Sequence, residues 1–401
     1  MSSNMDPPAR LSSEQAPRLA ARPSLDAIRE RAVRRSLALA DEHLRRALAA
    51  HLHACEGSPF WLERQRQLGF DLQRELRGVA DLPRLGPFPQ AELRRRPLQD
   101  FVPRRLWAQR SELVLAESGG TAGRPTRVVF TPTEFSEAFG RPFSAVSAAL
   151  GFPRDKGWLF MGPSGPHVIA QSARLLARLH GSLEPFAVDL DPRWARAQTP
   201  GSLGARLYLE HVLDQALELL GREQVGVLFI TPPLALALGQ ALTPSAREAV
   251  LGIHLGGMAL GPDDLAAIGE AFPRALVLPG YGNSLFGLLM PARAPGPDIA
   301  LEYFPLPGRL HLSVVALQGD ESRRDAALQL EPDLERPVLP GERGRVVLSR
   351  LDESFLLPNF VERDEAAWVR ADEHALALGL APYGLADPRP VLREQMKTGL
   401  Y

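Results

Sequence analysis

Ser118-Gly119-Gly120-Thr121-Ala122-Gly123-Arg124-Pro125-Thr126 joins two short runs, Glu112 to Glu117 and Arg127 to Thr131. Both runs are rich in β-branched or large apolar residues, a strand signature. The connection carries three glycines, three hydroxyl side chains, one cation and one proline. Glycine permits positive φ and lets a ligand approach the backbone closely. Amides and hydroxyls can surround phosphate oxygens, and Arg124 adds a charge that suits them. The same residue types dominate ordinary hairpin turns, so the stretch reads either as a phosphate loop or as a turn. A Walker-type loop is excluded. It needs Gly-Lys-Ser/Thr opening a helix, whereas Gly123-Arg124-Pro125 leads into a strand.

Upstream, Ser24 is an N-cap for a helix running to about Cys55, and a second helix is expected from Pro59 to Leu76. Gly78 to Pro103 reads as an irregular approach. Downstream, a helix is expected from Thr133 to about Leu150. Strands at Trp158–Met161, Pro185–Asp189, Val225–Ile230, Gly252–Leu255 and Ala275–Leu278 then alternate with helices at Val168–His180, Leu203–Leu220 and Pro262–Phe272. That rhythm predicts an α/β fold with a parallel sheet covered on both faces and ligands at the carboxyl ends of its strands. Beyond Gly287 the chain turns strand-rich, at Leu310–Ala316, Arg345–Leu351 and Trp368–Val369. The expected division is a disordered leader (1–24), a helical segment (25–110), an α/β nucleotide-binding core (111–290) and a small β-rich subdomain with a tail (291–401).

Several strand ends carry further motifs. Gly162-Pro163-Ser164-Gly165-Pro166-His167 lacks the last glycine of a nucleophile elbow. Pro166 suits a first helical turn whose free amides favour anions. There His167 meets a substrate carboxylate or is a solvated cap residue. Gly256-Gly257 permits something flat to pack on the backbone, or makes a tight turn. Pro279-Gly280-Tyr281-Gly282-Asn283-Ser284 ends another strand, Gly341-Glu342-Arg343-Gly344-Arg345 follows, and Asn359-Phe360-Val361-Glu362-Arg363-Asp364 comes last.

In this order, from roughly Glu112 to Trp368, the motifs resemble those of the adenylate-forming superfamily. The first stretch is similar to its Ser-Ser-Gly-Thr-Thr-Gly-x-Pro-Thr phosphate loop, and later segments to its Gly-Gly-Ala-Pro-Leu, Tyr-Gly-x-Thr-Glu, Gly-Glu-x-Gly-Arg and Tyr-Arg-Thr-Gly-Asp motifs. The resemblance implies the large N-terminal domain of such an enzyme, with the C-terminal lysine domain absent; Lys397 has no matching motif around it. It implies ATP-dependent adenylation of a small, aromatic carboxylic acid to acyl-AMP. Ser118, Gly119, Gly120, Thr121 and Gly123 would grip phosphates, with Arg124, His167 and Ser284 as catalytic groups. Gly256, Gly257, Tyr281, Gly282 and Asn283 would surround the nucleotide, Tyr281 stacking on adenine, and Asp364 would bind the ribose. Leu285 stands where the family has a glutamate that helps hold Mg²⁺, so the ion is expected weakly, through ATP. Gly-Pro-Ser-Gly-Pro-His and Tyr-Gly-Asn-Ser most resemble a compact branch that includes phenazine-antibiotic biosynthesis proteins, phenylacetate–CoA ligases and acyl-protein synthetases. Acyl transfer to CoA or a protein thiol, and a non-catalytic binding relative, are the alternatives.

Composition narrows the partners. A net charge of -1 gives no field that favours nucleic acid or an anionic membrane. Val225 to Gly239, the most apolar run, is too short to span a bilayer. The single cysteine, Cys55, excludes an internal disulfide and fits a cytoplasmic setting; an incidental or buried thiol is expected there. Nine scattered histidines show no metal-ligand spacing. The expected partners are a carboxylic acid and a separate acyl acceptor or carrier, with a homodimer left open.

Overall fold

The computed structural model describes residues 24–118, 125–258, 260–296, 300–317 and 332–391. Gly119, Gly120, Thr121, Gly123, Arg124, Lys397 and nearly all of the expected leader lie outside the described residues.

Helix α1 (Leu25–His51) opens where the Ser24 hydroxyl accepts from the Ala27 amide at 3.3 Å. It stops short of Cys55 because His51 turns into the core, where Nδ1 meets Ser58 Oγ at 2.9 Å. Cys55 is exposed, not buried. The second helix, α2 (Pro59–Leu68), ends earlier than its apolar pattern implied. Gly69 takes φ 76°, and Asp71 caps a separate turn, Leu72–Glu75, by accepting from the Gln73 and Arg74 amides.

Strands β1 (Val114–Glu117) and β2 (Arg127–Phe130) form an antiparallel hairpin with Glu117 opposite Arg127. Its neck is closed by Ser118, whose amide donates to the Thr126 carbonyl at 2.9 Å and whose hydroxyl accepts from the Thr126 amide at 2.9 Å. The helix expected after it is not uniform. A turn at Pro132–Phe135 passes into a π-helical segment, Ser136–Gly140, before α3 (Arg141–Leu150). Pro142 has no N–H to return to the Ala138 carbonyl, and the chain widens there.

The alternation then follows: β3 (Gly157–Gly162), α4 (Val168–Leu179), β4 (Phe186–Asp189), α5 (Leu203–Arg222), β5 (Val225–Ile230), α6 (Pro232–Ala241), β6 (Gly252–Leu255), α7 (Pro262–Ala271) and β7 (Leu276–Pro279). These five strands form a parallel sheet in the order β4-β3-β5-β6-β7. Every residue of β5 and β6 is buried, as expected of strands covered on both faces. The chain leaves β3 in one direction and returns to build β5 on the other side, which makes a switch point between their carboxyl ends.

A small hairpin, β8 (Tyr281–Asn283) with β9 (Gly287–Leu289), follows directly. It leads into an antiparallel sheet of β10 (Glu302–Tyr303), β11 (Leu310–Leu317), β12 (Pro332–Pro337), β13 (Arg343–Leu351), β14 (Leu356–Arg370) and β15 (Tyr383–Pro390), ordered β10-β15-β14-β13-β11-β12. β14 is far longer than the expected Trp368–Val369. Between β13 and β14, Arg345 pairs with Glu365 and Val347 with Val361, so β14 bulges through Glu362, Arg363 and Asp364. A second irregularity holds Asn359 at φ 49°, its side-chain Nδ2 donating to the Gly86 carbonyl at 3.0 Å. No helix among the described residues is long and apolar enough to cross a membrane.

Candidate functional site

The loops leaving β3, β6 and β7 converge with the β1–β2 hairpin around a cavity of about 220 Å³. Ser118, His167, Gly256, Gly257, Gly282, Asn283 and Ser284 line it, over an apolar floor that includes Phe139, Ile169, Leu176, Phe229 and Leu288. The cavity lies at the carboxyl ends of parallel strands beside their switch point, where α/β sheets bind ligands. A larger space, about 590 Å³, lies between α1 and the six-stranded sheet. It gathers none of the glycine-bearing strand ends.

Each lining group is placed by local chain chemistry. Pro166 does not enter the first turn of α4; it precedes the N-cap, which is His167. The Pro166 carbonyl accepts from the Glu117 amide at 2.8 Å, docking the hairpin against this loop. His167 is 7% exposed, and desolvation lowers its pKa against the opposing pull of Glu117. The imidazole is therefore neutral near pH 7, beside the first-turn amides of α4, which have no intrahelical partners. Gly257 takes φ 84°, which a side chain would strain. A Cβ on Gly282 would stand 2.2 Å from the Gly287 carbonyl oxygen, so the tight β8–β9 pairing requires glycine there. Ser284 is 5% exposed and lines the cavity without a side-chain partner among the described residues.

A second, smaller cavity of about 60 Å³ adjoins the first, sharing Gly282, Asn283 and Gly287 with it. Here Tyr281 and Asp364 meet: the phenol donates to Asp364 Oδ2 at 2.7 Å. Asn283 stands between the cavities. Its side-chain amide donates to Glu362, and its Oδ1 accepts from the amides of Leu285 and Phe286 at 2.8 and 3.2 Å. The bulge in β14 turns Glu362 and Asp364 toward this space. Desolvation, with the Asp364 charge behind it, pushes Glu362 up to about 7. Asp364 is raised by desolvation too, and Tyr281 is raised well above its usual value.

The structure thus brings together Ser118, His167, Gly256, Gly257, Gly282, Asn283 and Ser284 in one cavity, and Tyr281 with Asp364 in its neighbour. Sequence reading passed over Glu362, which looked like one member of a charged run, and His254, one histidine in an apolar strand. Leu285 is 6% exposed and packs in the core rather than at the cavity mouth. Among the described residues no three His, Cys, Asp or Glu side chains are grouped so as to hold a metal ion.

Below that turn lies a buried ion cluster. Arg309 and Arg350 both bind Asp352, at 2.6 Å to Oδ2. Arg350 also donates to the carbonyls of Val129 at 2.6 Å and Leu285 at 3.1 Å, and lies 3.7 Å over the Phe130 ring. One side chain therefore ties the β1–β2 hairpin, the Ser284–Leu285 turn and β13 together.

No protein-family model matches the sequence, and no curated protein matches it either. Solved structures do. 2-Hydroxyisobutyryl-CoA ligase in complex with 2-HIB-AMP and CoA, in its thioesterification state, matches at 17% identity and a TM-score of 0.61, over 89% of this chain and 67% of that one. An open conformation of that ligase with the same ligands matches at 16% identity and 0.59, over 86% and 72%. Its postadenylation state in complex with R3-HIB-AMP matches at 15% identity and 0.60, over 86% and 65%. This chain spans about two thirds of that ligase's length. At such identity the likeness is one of fold: the mixed α/β architecture is shared with that ligase.

Proposed function

We propose that this chain uses ATP to adenylate a small carboxylic acid. The observation that carries the reading is the pair of joined cavities, one apolar with a buried histidine and the N-terminus of α4 at its mouth, the other with Asp364 and Tyr281. In the proposed reaction a carboxylate oxygen attacks the α-phosphorus of ATP, the bond to the bridging oxygen breaks, and pyrophosphate leaves. Such a step needs alignment and neutralisation of charge more than covalent help. His167 and the first amides of α4 orient the acid without adding a second anion. The Ser284 hydroxyl faces the reacting phosphate, and Asp364 takes the ribose hydroxyls. Ser118, Gly119, Gly120, Thr121, Gly123 and Arg124 are assigned to the departing pyrophosphate, and Gly256 and Gly257 to the nucleotide wall. The rings of Phe139 and Phe229 support an aromatic acid. A phenazine-like setting rests on sequence phrases alone, and a cavity of about 220 Å³ suits one ring better than three fused ones.

The described residues make no cage for Mg²⁺, and Leu285 offers no oxygen ligand from its side chain. An ion that accompanies ATP is held by the phosphates, and no step is assigned to it. The small cavity is below the size of a nucleoside, so nucleotide binding requires Tyr281 to release Asp364. The buried position of Leu285 favours one alternative, a non-catalytic nucleotide-binding relative. Calorimetric titration with AMP, ATP and GTP tests the nucleotide half of the proposal. Adenine nucleotides should bind at sub-millimolar concentration and GTP more weakly; no adenine-nucleotide binding at millimolar concentration overturns it.

A further inference from the structure

The inner end of the larger cavity holds a polar group that the proposed adenylation leaves unused. His254 lies within β6, 1% exposed, edge-on between Phe143 and Phe229 with ring centroids 4.8 and 4.5 Å away. Its Nδ1 is 2.8 Å from the Leu278 carbonyl oxygen. A carbonyl only accepts, so Nδ1 carries the hydrogen. Burial holds the ring's pKa down to about 4, which leaves Nε2 a bare acceptor at neutral pH. Nε2 has no hydrogen-bond partner among the described residues, and His254 lines the cavity. Ser172, on the same lining, spends its hydroxyl hydrogen on the Ile169 carbonyl at 2.9 Å and likewise has only lone pairs to offer. An otherwise apolar floor therefore presents two acceptors and no matching donor. A buried acceptor left unmet is costly, so the arrangement favours a ligand that supplies the hydrogen.

We infer that His254 selects the acid: the substrate is a carboxylic acid whose apolar body carries a neutral hydroxyl or N–H donor at the end remote from the carboxylate, donated to His254 Nε2. This rests on the adenylation reading and names the substrate class for that site. The geometry sets the spacing. His254 stands two residues before Gly256, about 6–7 Å along the strand from the Gly256-Gly257 turn that lines the same cavity, a length similar to that of a ring with its hydroxyl across from its carboxyl group. The volume agrees, since a cavity of roughly 150 Å³ holds benzene and this one measures about 220 Å³. The lining also selects against other acids. None of the described lining residues is Asp, Glu, Lys or Arg, so the ammonium of an amino acid or the second carboxylate of a diacid would be desolvated without a counter-charge.

The test compares acid-dependent exchange of pyrophosphate into ATP for benzoate, 3- and 4-hydroxybenzoate and the fluorobenzoates of the same substitution. In the wild type the better hydroxy acid should exceed its fluoro isostere in kcat/KM by at least about tenfold. In His254→Phe that ratio should fall to near one. The wild-type ratio decides the matter even if the variant fails to fold. Equal use of hydroxy and fluoro acids by the wild type overturns this inference and leaves the adenylation reading standing. Exchange supported by none of these acids overturns this inference, and if short aliphatic acids support none either, the adenylation reading falls with it.

Discussion

Asp364 and Glu362 sit two residues apart on one bulge, yet they do different things. Tyr281 holds one oxygen of Asp364, and on the proposed reading it releases that oxygen when Asp364 takes the ribose. Asp364→Ala removes a charge-assisted pair of hydrogen bonds and should weaken AMP binding about tenfold or more, as calorimetry would report. Tyr281→Phe keeps the ring and removes the competitor for Asp364. It should tighten AMP binding by a factor of roughly 2–10, the worth of one net hydrogen bond; weaker binding would mean that the phenol itself touches the nucleotide. Glu362 contributes one pH dependence of its own. Its carboxyl titrates near 4.5 when unfolded and at about 7 in the fold. Between those values the native state keeps a proton that the unfolded state has lost, so stability falls as pH rises through the window. Glu362→Gln should flatten much of that slope and raise stability at pH 8 by roughly 1–3 kcal/mol, measured by urea unfolding at pH 5, 6, 7 and 8. The remaining slope would combine Asp364, whose carboxyl is raised as well, with His51, His254 and His311, whose lowered pKa values act with the opposite sign and add stability as pH rises toward 6.5.

Elements explain why the site is assembled from such distant residues, and Arg350 is where they are joined. It is fully buried and gives its hydrogen bonds to β2, to the turn after Ser284, and to Asp352. Arg350→Met leaves the Arg309–Asp352 pair in place but takes the donor from the Leu285 carbonyl and one of two side-chain donors from the Val129 carbonyl, which keeps the Ser354 hydroxyl. It should cost about 3–5 kcal/mol, as for a broken buried pair, read as a lower midpoint of urea unfolding. The parallel strands were legible because β5 is buried on both faces and reads as an unbroken apolar run, and because strands and helices alternate at regular spacing around it. Other boundaries were not legible. Gly69 stops α2 within a continuing apolar pattern, and Pro142 widens a helix that propensity alone would keep regular. The bulge in β14 carries Glu362, Arg363 and Asp364, a charged run with no strand signature. Its pairing with β13 and β15 is a long-range fact that local sequence does not contain. His254 was passed over for a related reason: only the folded sheet shows that Nδ1 is engaged and Nε2 is not.

At the scale of the whole molecule, five parallel strands present their loops to one end, and the hairpin β8–β9 carries the chain from that end to the antiparallel sheet that supplies Asp364. On the proposed reading the division of labour follows from this path: the parallel sheet would shape the acid cavity, and the second sheet would close the nucleotide side. The two cavities meet at Gly282, Asn283 and Gly287, which is where the bond between acid and α-phosphorus would form. The most direct measurement is acid-dependent exchange of labelled pyrophosphate into ATP by the full chain, across a panel of hydroxylated and unsubstituted aromatic and short aliphatic acids and a range of Mg²⁺ concentrations. Exchange that appears only with an acid present, and that needs Mg²⁺ in excess of ATP because no acidic cluster among the described residues secures the ion, is the expected result. A protein that binds AMP yet exchanges pyrophosphate with no acid at any Mg²⁺ concentration would contradict it and establish a binding protein instead.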